Sequence, residues 1–348
     1  MIKSVSSAIS RSSNGSAPAG ATHQEPARPA QPRGRLLIID DDADLTGLLA
    51  KYAQERGYQV FEHHACKGAV EKARAVHPQY VILDVMLGDG IGYQVARRLR
   101  AEPNLFAVPI LFMSAASEQQ DIEYARTQGG DLYLAKPFKF PEFTQKLDDL
   151  KRFREEMLRL CPETRLPGLA AMKRQINHRL FTGRSCALCC IEIIHLDEYH
   201  SRRGEIEWRH AVEVISRLLV DEVRRFGGPA AYLAHTFGGV FLALVALESY
   251  QHFLSHLAGV FSQRTRGLHT ENELMVDAMI ASGQAPEQEK SVLLTIHASA
   301  VHTVNRHFTH ADRMLDALAE THSLTRPCRG SVIFVDRKHD HPFRLPGQ

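Results

Sequence analysis

The sequence predicts two folded units. The first is an α/β unit with a doubly wound, five-stranded parallel sheet, and the second is an α+β unit with helices packed on a largely antiparallel sheet. Three observations lead there. Between residues 34 and 146, five short apolar runs alternate with helical patterns, as consecutive βαβ units require. Further on, two apolar runs flank Gly238-Gly239, which reads as a tight hairpin between antiparallel strands. Finally, 348 residues with 44% apolar side chains suit two ordinary domains better than one.

Residues 1–33 are rich in Ser, Ala, Pro, Gly and Gln and show no hydrophobic period. A disordered tail is expected there. Order begins at "RLLIID", with strands expected at Leu36–Ile39, Val60–Glu62, Tyr80–Leu83, Ile110–Met113 and Leu132–Leu134. Helical patterns such as Leu45–Arg56 and Tyr93–Arg100 lie between them. In this architecture ligands gather at the carboxyl ends of the strands. Asp40 and Asp41 follow the first strand, Asp84 the third, Ser114 the fourth and Lys136 the fifth. Carboxylates converging on one crevice repel unless a cation joins them, and an all-oxygen ligand set suits Mg²⁺. A lysine and a hydroxyl opposite would hold phosphoryl oxygens. These residues describe a magnesium-dependent site that accepts phosphate on a carboxylate.

The stretch 34–146 resembles the receiver domain of bacterial two-component response regulators, on "LLIIDDD", "VILDVML", "ILFMSA" and "DLYLAKPF". The resemblance implies a flavodoxin-like fold and a sensor histidine kinase as partner. It makes Asp84 the phosphoacceptor and places Asp40, Asp41 and Asp84 around the Mg²⁺. Ser114 and Lys136 would contact the phosphoryl group, and Tyr133 matches the aromatic switch position. One departure stands out. The family usually has Pro and then Asp-Gly after the acceptor, whereas "DVMLGDGIG" has Gly88 and Ile91-Gly92. This is expected to loosen the loop while sparing the ligands.

Over 147–162, Leu147, Leu150, Phe153, Met157 and Leu160 recur every three or four residues with charges between them. That pattern predicts an amphipathic linker helix. It is expected to extend the last helix of the first unit into a short two-stranded coiled coil, and so to make a homodimer.

The second unit, 163–337, reads as a helix, a strand at Cys186–Ile194, a helix at Ala211–Phe226, the hairpin with its second strand at Val240–Leu247, and a helix. Strands at Leu274–Ala281 and Val292–Ala300, a helix at Ala311–Ser323 and a strand at Ser331–Val335 follow, with a tail over 338–348. This layout resembles the GGDEF domain of diguanylate cyclases, on "ETRLPGL", "CIEIIHLDEYHSRRGE", "AHTFGGVF" and "HADRMLDALAETH" with "RGSVIFVD". Carried over residue by residue, the catalytic set is degenerate. Val240 falls where the catalytic Glu belongs and Gly239 where an Asp belongs. Pairing Gly238 and Gly239 with the signature glycines instead puts Val240 and Phe241 at those two positions. Glu192 stands at a metal Asp, and His200 and Arg209 replace the guanine-binding Asn and Asp. Gly228 and Ala231 stand where the product-inhibition motif would have Arg and Asp. Two-metal phosphoryl chemistry needs several carboxylates, so this unit is expected not to be an enzyme.

Composition narrows the rest. A net charge of +2 points to neither nucleic acid nor an anionic membrane. No apolar run approaches the ~20 residues that span a bilayer. With no apolar leader in the sequence, a cytoplasmic location is expected. "CALCC" lies in a strand-like run with no second C-x-x-C, so Cys186, Cys189 and Cys190 read as buried small hydrophobes. Most of the 19 histidines fall beyond residue 150; His302, His307 and His310 lack the spacing of a helical zinc pair. The leading reading is a response regulator that signals through a catalytically inactive output domain binding a protein effector or a nucleotide. The alternative is an unorthodox nucleotide cyclase using Glu192. Direct DNA binding is not expected, since neither a separate helix-turn-helix nor a basic stripe follows the first unit.

Overall fold

The computed structural model describes residues 33–115, 118–228, 230–284, 291–304, 306–328 and 330–336. The tails expected at either end lie outside these residues, except Arg33. That residue is anchored: its backbone N–H donates to the Gly57 carbonyl at 2.9 Å and its guanidinium pairs with Asp148 at 2.9 Å.

The first unit runs β1 (Gly34–Ile39), α1 (Ala43–Glu55), β2 (Tyr58–His63), α2 (Ala69–Val76), β3 (Tyr80–Asp84), the short β4 (Met86–Leu87) and β5 (Gly90–Ile91), α3 (Gly92–Ala101), β6 (Ile110–Ser114), α4 (Gln119–Thr127), β7 (Leu132–Ala135) and α5 (Phe140–Leu158). The main sheet has the order β2-β1-β3-β6-β7 and every pairing in it is parallel. Successive strand residues face opposite sides. Leu37, Ile39, Val81, Leu83 and Phe112 therefore pack with α2 and α3, while Leu36, Ile38, Ile82, Leu111 and Met113 pack with α1 and α5. Both faces are covered, which is why the central strands read as unbroken apolar runs.

No separate linker helix exists, since α5 is continuous from Phe140 to Leu158. The apolar stripe expected to face a second copy is filled within the chain instead. Leu147 and Leu150 are buried in the first core. Phe153 lies under the Arg174 guanidinium at 5.5 Å, and Met157 is buried. Leu160 falls beyond the helix and bridges to Pro167.

The second unit runs α6 (Leu169–Phe181), β8 (Cys186–Ile194), α7 (Leu196–Phe226), β9 (Tyr232–Phe237), β10 (Val240–Ala246), α8 (Tyr250–Thr265), a 3-10 turn (Arg266–Leu268), α9 (Glu271–Ala281), β11 (Thr295–His302), α10 (Ala311–Ser323) and β12 (Val332–Val335). Its sheet has the order β12-β11-β8-β10-β9, antiparallel except for β11 with β12. The cysteines of β8 are buried as expected. Two expectations fail. The run Leu274–Ala281 is not a strand but part of α9: the Thr270 hydroxyl accepts the Glu273 N–H, and the Glu273 carboxylate accepts the Thr270 N–H. This capping box decides what a short apolar run leaves open. The helix expected from Ala211 already begins at Leu196, with non-helical geometry at Gly204 (φ 81°); its first turns are too charged to show an apolar period. Among the described residues no helix is long and apolar enough to cross a membrane.

Candidate functional site

The first sheet brings its polar strand-end residues together. Asp40 follows β1 and is fully buried, Asp84 ends β3 and is nearly so, and Asp41 is exposed. Carboxylate oxygens of Asp40, Asp41 and Asp84 lie within 4.8 Å of one another. Lys136, just past β7, places Nζ 2.8 Å from Asp40 Oδ2 and 2.6 Å from Asp84 Oδ2. Ser114 ends β6 beside them and its carbonyl accepts the Lys136 backbone N–H at 2.6 Å. Tyr133, half-buried on β7, packs against the core that holds Tyr93 and Phe112.

The electrostatics favour a cation. Three carboxylates against one lysine leave two formal negative charges when all are ionised. Burial raises the Asp84 carboxyl above its ordinary range and the Asp40 charge adds to this, while Lys136 and the Met86 N–H oppose it. For Lys136, burial disfavours the charge, yet hydrogen bonds to Asp40 and Asp84 raise the ammonium above its ordinary value. The oxygen donor set and its excess charge fit Mg²⁺, which Asp40, Asp41 and Asp84 would hold.

The loop after Asp84 corrects the expectation of slackness. Met86 pairs with Ile91 and Leu87 with Gly90 in a miniature ladder. At its turn, Asp89 accepts the Cys66 N–H at 2.6 Å and the Lys67 N–H at 2.9 Å. Gly92 shows why the segment needs a glycine: a Cβ there would lie 2.0 Å from the Asp84 carbonyl oxygen. The glycine thus allows α3 to begin against the acceptor's own backbone.

The second sheet brings its candidate residues only partly together. Glu192 on β8 pairs across the ladder with Val240 on β10, next to the Gly238-Gly239 turn. Gly238 has φ +53°, and a Cβ on Gly239 would meet the Ile193 carbonyl at 2.9 Å, so the glycines serve the turn. Glu192 Oε2 accepts from His322 Nε2 at 2.9 Å, and His322 Nδ1 accepts from the Ser299 hydroxyl at 2.9 Å. His200 and Arg209 are exposed on α7 and both pair with Glu205, at 3.0 and 2.5 Å.

One group of residues escaped the sequence reading. The Asp131 side chain, 7% exposed, sits immediately before β7. It pairs with Arg100 at the end of α3 (2.8 Å) and with Arg174 on α6 (2.6 Å). Arg100 is fully buried and also donates to the carbonyls of Gly129, Phe106 and Val108. Burial, then Arg174, pull it below its ordinary range, and Asp131 opposes that pull. On α6, His178 Nδ1 donates to the Arg100 carbonyl at 2.7 Å. These contacts join the two units through buried charge. Residues that lie 31 and 43 positions apart in the chain leave no local pattern to find.

Comparisons with known proteins point to the first unit. The response regulator receiver domain matches residues 36–148. The transcriptional regulatory protein TrcR of Mycobacterium tuberculosis is 34% identical over 118 residues, covering 34% of this chain and 45% of that protein. The DNA-binding dual master transcriptional regulator RpaA of Synechocystis is 34% identical over 175 residues, covering 49% of this chain and 72% of that protein. The chain therefore spans less than half the length of the first of these relatives and more than two thirds of the second. Among solved structures, a two-component response regulator from Clostridium difficile is 30% identical with a TM-score of 0.32, covering 34% of this chain and 95% of that one. On the match of residues 36–148 and the coverage of more than two thirds of RpaA at 34% identity, the chain is, through its receiver domain, a member of the response regulators.

Proposed function

We propose that this protein is a phosphorylation-controlled, cytoplasmic response regulator whose second domain, a degenerate GGDEF-like unit, transmits the signal by binding rather than by catalysis. The observation that carries this reading is the contrast in carboxylates: three gather at Asp84, while Glu192 stands beside Val240 with its carboxylate hydrogen-bonded to His322. A sensor histidine kinase is the phosphoryl donor. An Asp84 carboxylate oxygen attacks the phosphorus in line, and the donor imidazole leaves. Lys136 and Ser114 hold the new phosphoryl oxygens. Bound Mg²⁺ supplies charge neutralisation at those oxygens.

The phosphoryl group also draws Lys136 away from Asp40, which shifts β7. Tyr133 and Asp131 both belong to this segment, so the shift reaches Arg174 and α6 of the second domain. The effector is a protein partner, with a nucleotide at the hairpin as the other ligand class. Neither enzymatic activity nor direct DNA binding is part of this reading. The two curated relatives are named as transcriptional regulators, but the receiver-family match ends at residue 148.

Mass spectrometry of protein treated with acetyl phosphate and Mg²⁺ tests the first half: a phosphoryl adduct on Asp84 that disappears in Asp84→Asn is expected, and its absence from the wild type refutes the reading. Calorimetry of the full chain with GTP, ATP and cyclic di-GMP, beside a pull-down with and without a phosphoryl mimic, separates nucleotide from protein as the effector.

A further inference from the structure

Two of the 19 histidines have the spacing of a helical metal pair. His252 and His256 stand one turn apart in the first half of α8, so both project from one side of the helix. That side lies next to the one that Phe253, Leu257 and Phe261 bury in the second core. It meets the end of α7, where Phe226 packs against both rings, with centroids 5.0 Å from His252 and 4.7 Å from His256.

Glu222 of α7 completes the group. Its side chain is 8% exposed, and its Oε2 is buried without a hydrogen-bond partner. That oxygen nevertheless lies 3.3 Å from His256 Nε2. A simple ion pair with protonated His256 would aim an N–H at the oxygen, and this alignment is missing. Leaving a buried carboxylate oxygen unpaired is costly. Arg225 lies over the Phe226 ring at 5.0 Å instead of pairing with Glu222. Co-ligands of one metal behave as this pair does: both lone pairs point at the ion, so they approach each other without a hydrogen bond. Two ligands of a tetrahedral Zn²⁺, each ~2.0 Å from the ion, stand ~3.3 Å apart. The third member, His252, is exposed, and its ring centroid is 6.4 Å from that of His256 with the planes 18° apart. Among the described residues the Asp84 trio is the one set of three acids or imidazoles already drawn together. Between α7 and α8 two ligands are in place, and rotation of the surface side chain of His252 brings in the third. Its exposure also gives the ion a way in from solvent.

We propose that Glu222, His252 and His256 form a second metal site, one that takes Zn²⁺ and is separate from the magnesium site at Asp84. Two imidazoles and a carboxylate are zinc donors, whereas the all-oxygen set at Asp84 suits Mg²⁺. Three protein ligands leave the fourth position of the tetrahedron to water. The ion ties the end of α7 to the start of α8 and so stabilises the packing of these two helices.

The test strips the purified protein of metal, keeps Mg²⁺ in excess to fill the Asp84 site, and titrates Zn²⁺ against a chromophoric chelator. The wild type is expected to bind Zn²⁺, and its thermal unfolding should move upward with the ion bound. Glu222→Gln and His252→Ala should each weaken zinc binding at least about tenfold and remove most of the thermal shift. Because Glu222 is buried, its replacement risks loosening α7. His252 is exposed, so His252→Ala supplies the independent arm and should unfold like the wild type when zinc is absent. His210, exposed on α7 and outside the group, is the control, and His210→Ala should change neither readout. Failure of the folded wild type to bind Zn²⁺ overturns the site. Binding that His252→Ala leaves at wild-type strength, or that His210→Ala weakens just as much, assigns the ion to scattered surface histidines and overturns it too.

Discussion

The carboxyl edge of the first sheet and the hairpin edge of the second offer a controlled comparison, since each ends a five-stranded sheet in a loop rich in glycine. At the first, the backbone delivers three carboxylates within 4.8 Å and a lysine between two of them. At the second, an equally well-formed turn delivers Glu192 and Val240, and the acid accepts a hydrogen bond from His322. The turn geometry is intact in both places. What differs is how many acids converge: three carboxylates, two of them buried, concentrate the negative charge that binds a metal, whereas Glu192 is a single, partly exposed one.

Several substitutions sharpen this contrast, beginning with the largest effect on stability. Asp131→Ala leaves the fully buried Arg100 without its counter-charge, so about 3–5 kcal/mol of stability should be lost in denaturant titration. A loss below ~1 kcal/mol would show that the junction does not carry buried charge. Gly92→Ala forces a Cβ against the Asp84 carbonyl and should cost about 1–3 kcal/mol while slowing acetyl phosphate labelling. Its counterpart in the second domain, Gly238→Ala, meets no atom within 4 Å. It carries only the cost of a left-handed residue, about 1 kcal/mol in thermal unfolding. Thr270→Ala removes the cap of α9, none of whose residues is buried. Hydrogen exchange should speed up within that helix, with about 1 kcal/mol lost locally. The smallest effect belongs to Glu192. The His322 hydrogen bond holds this carboxyl below its ordinary range, so its stabilisation is present at neutral pH and fades as pH falls through the carboxylate range. Exposure of the pair limits this to less than about 1 kcal/mol, and Glu192→Gln should flatten that part of the pH–stability curve.

Legibility in the sequence followed the range of the interactions. Asp40, Asp84, Ser114 and Lys136 could be read because each stands directly after an apolar strand run, and the parallel sheet does the rest. Gly238-Gly239 could be read because a hairpin is local. α9 was misread because its apolar run is too short to show a period, although Thr270 and Glu273 held the cap signal in plain view. The clamp on Gly92, the tether of Asp89 to Cys66, and the Arg100–Asp131–Arg174 junction involve partners brought together only by the tertiary fold. The stripe at Leu147, Leu150, Phe153 and Met157 was read correctly as apolar, but its partner was not: periodicity shows that a face is buried, not against what.

One incubation tests the central contrast most directly. The purified protein is mixed with acetyl phosphate, Mg²⁺ and GTP, then both the Asp84 peptide and the nucleotide pool are read by mass spectrometry. The account predicts a phosphoryl adduct on Asp84 with GTP left intact. An unmodified Asp84, or cyclic dinucleotide that accumulates with time, would contradict it.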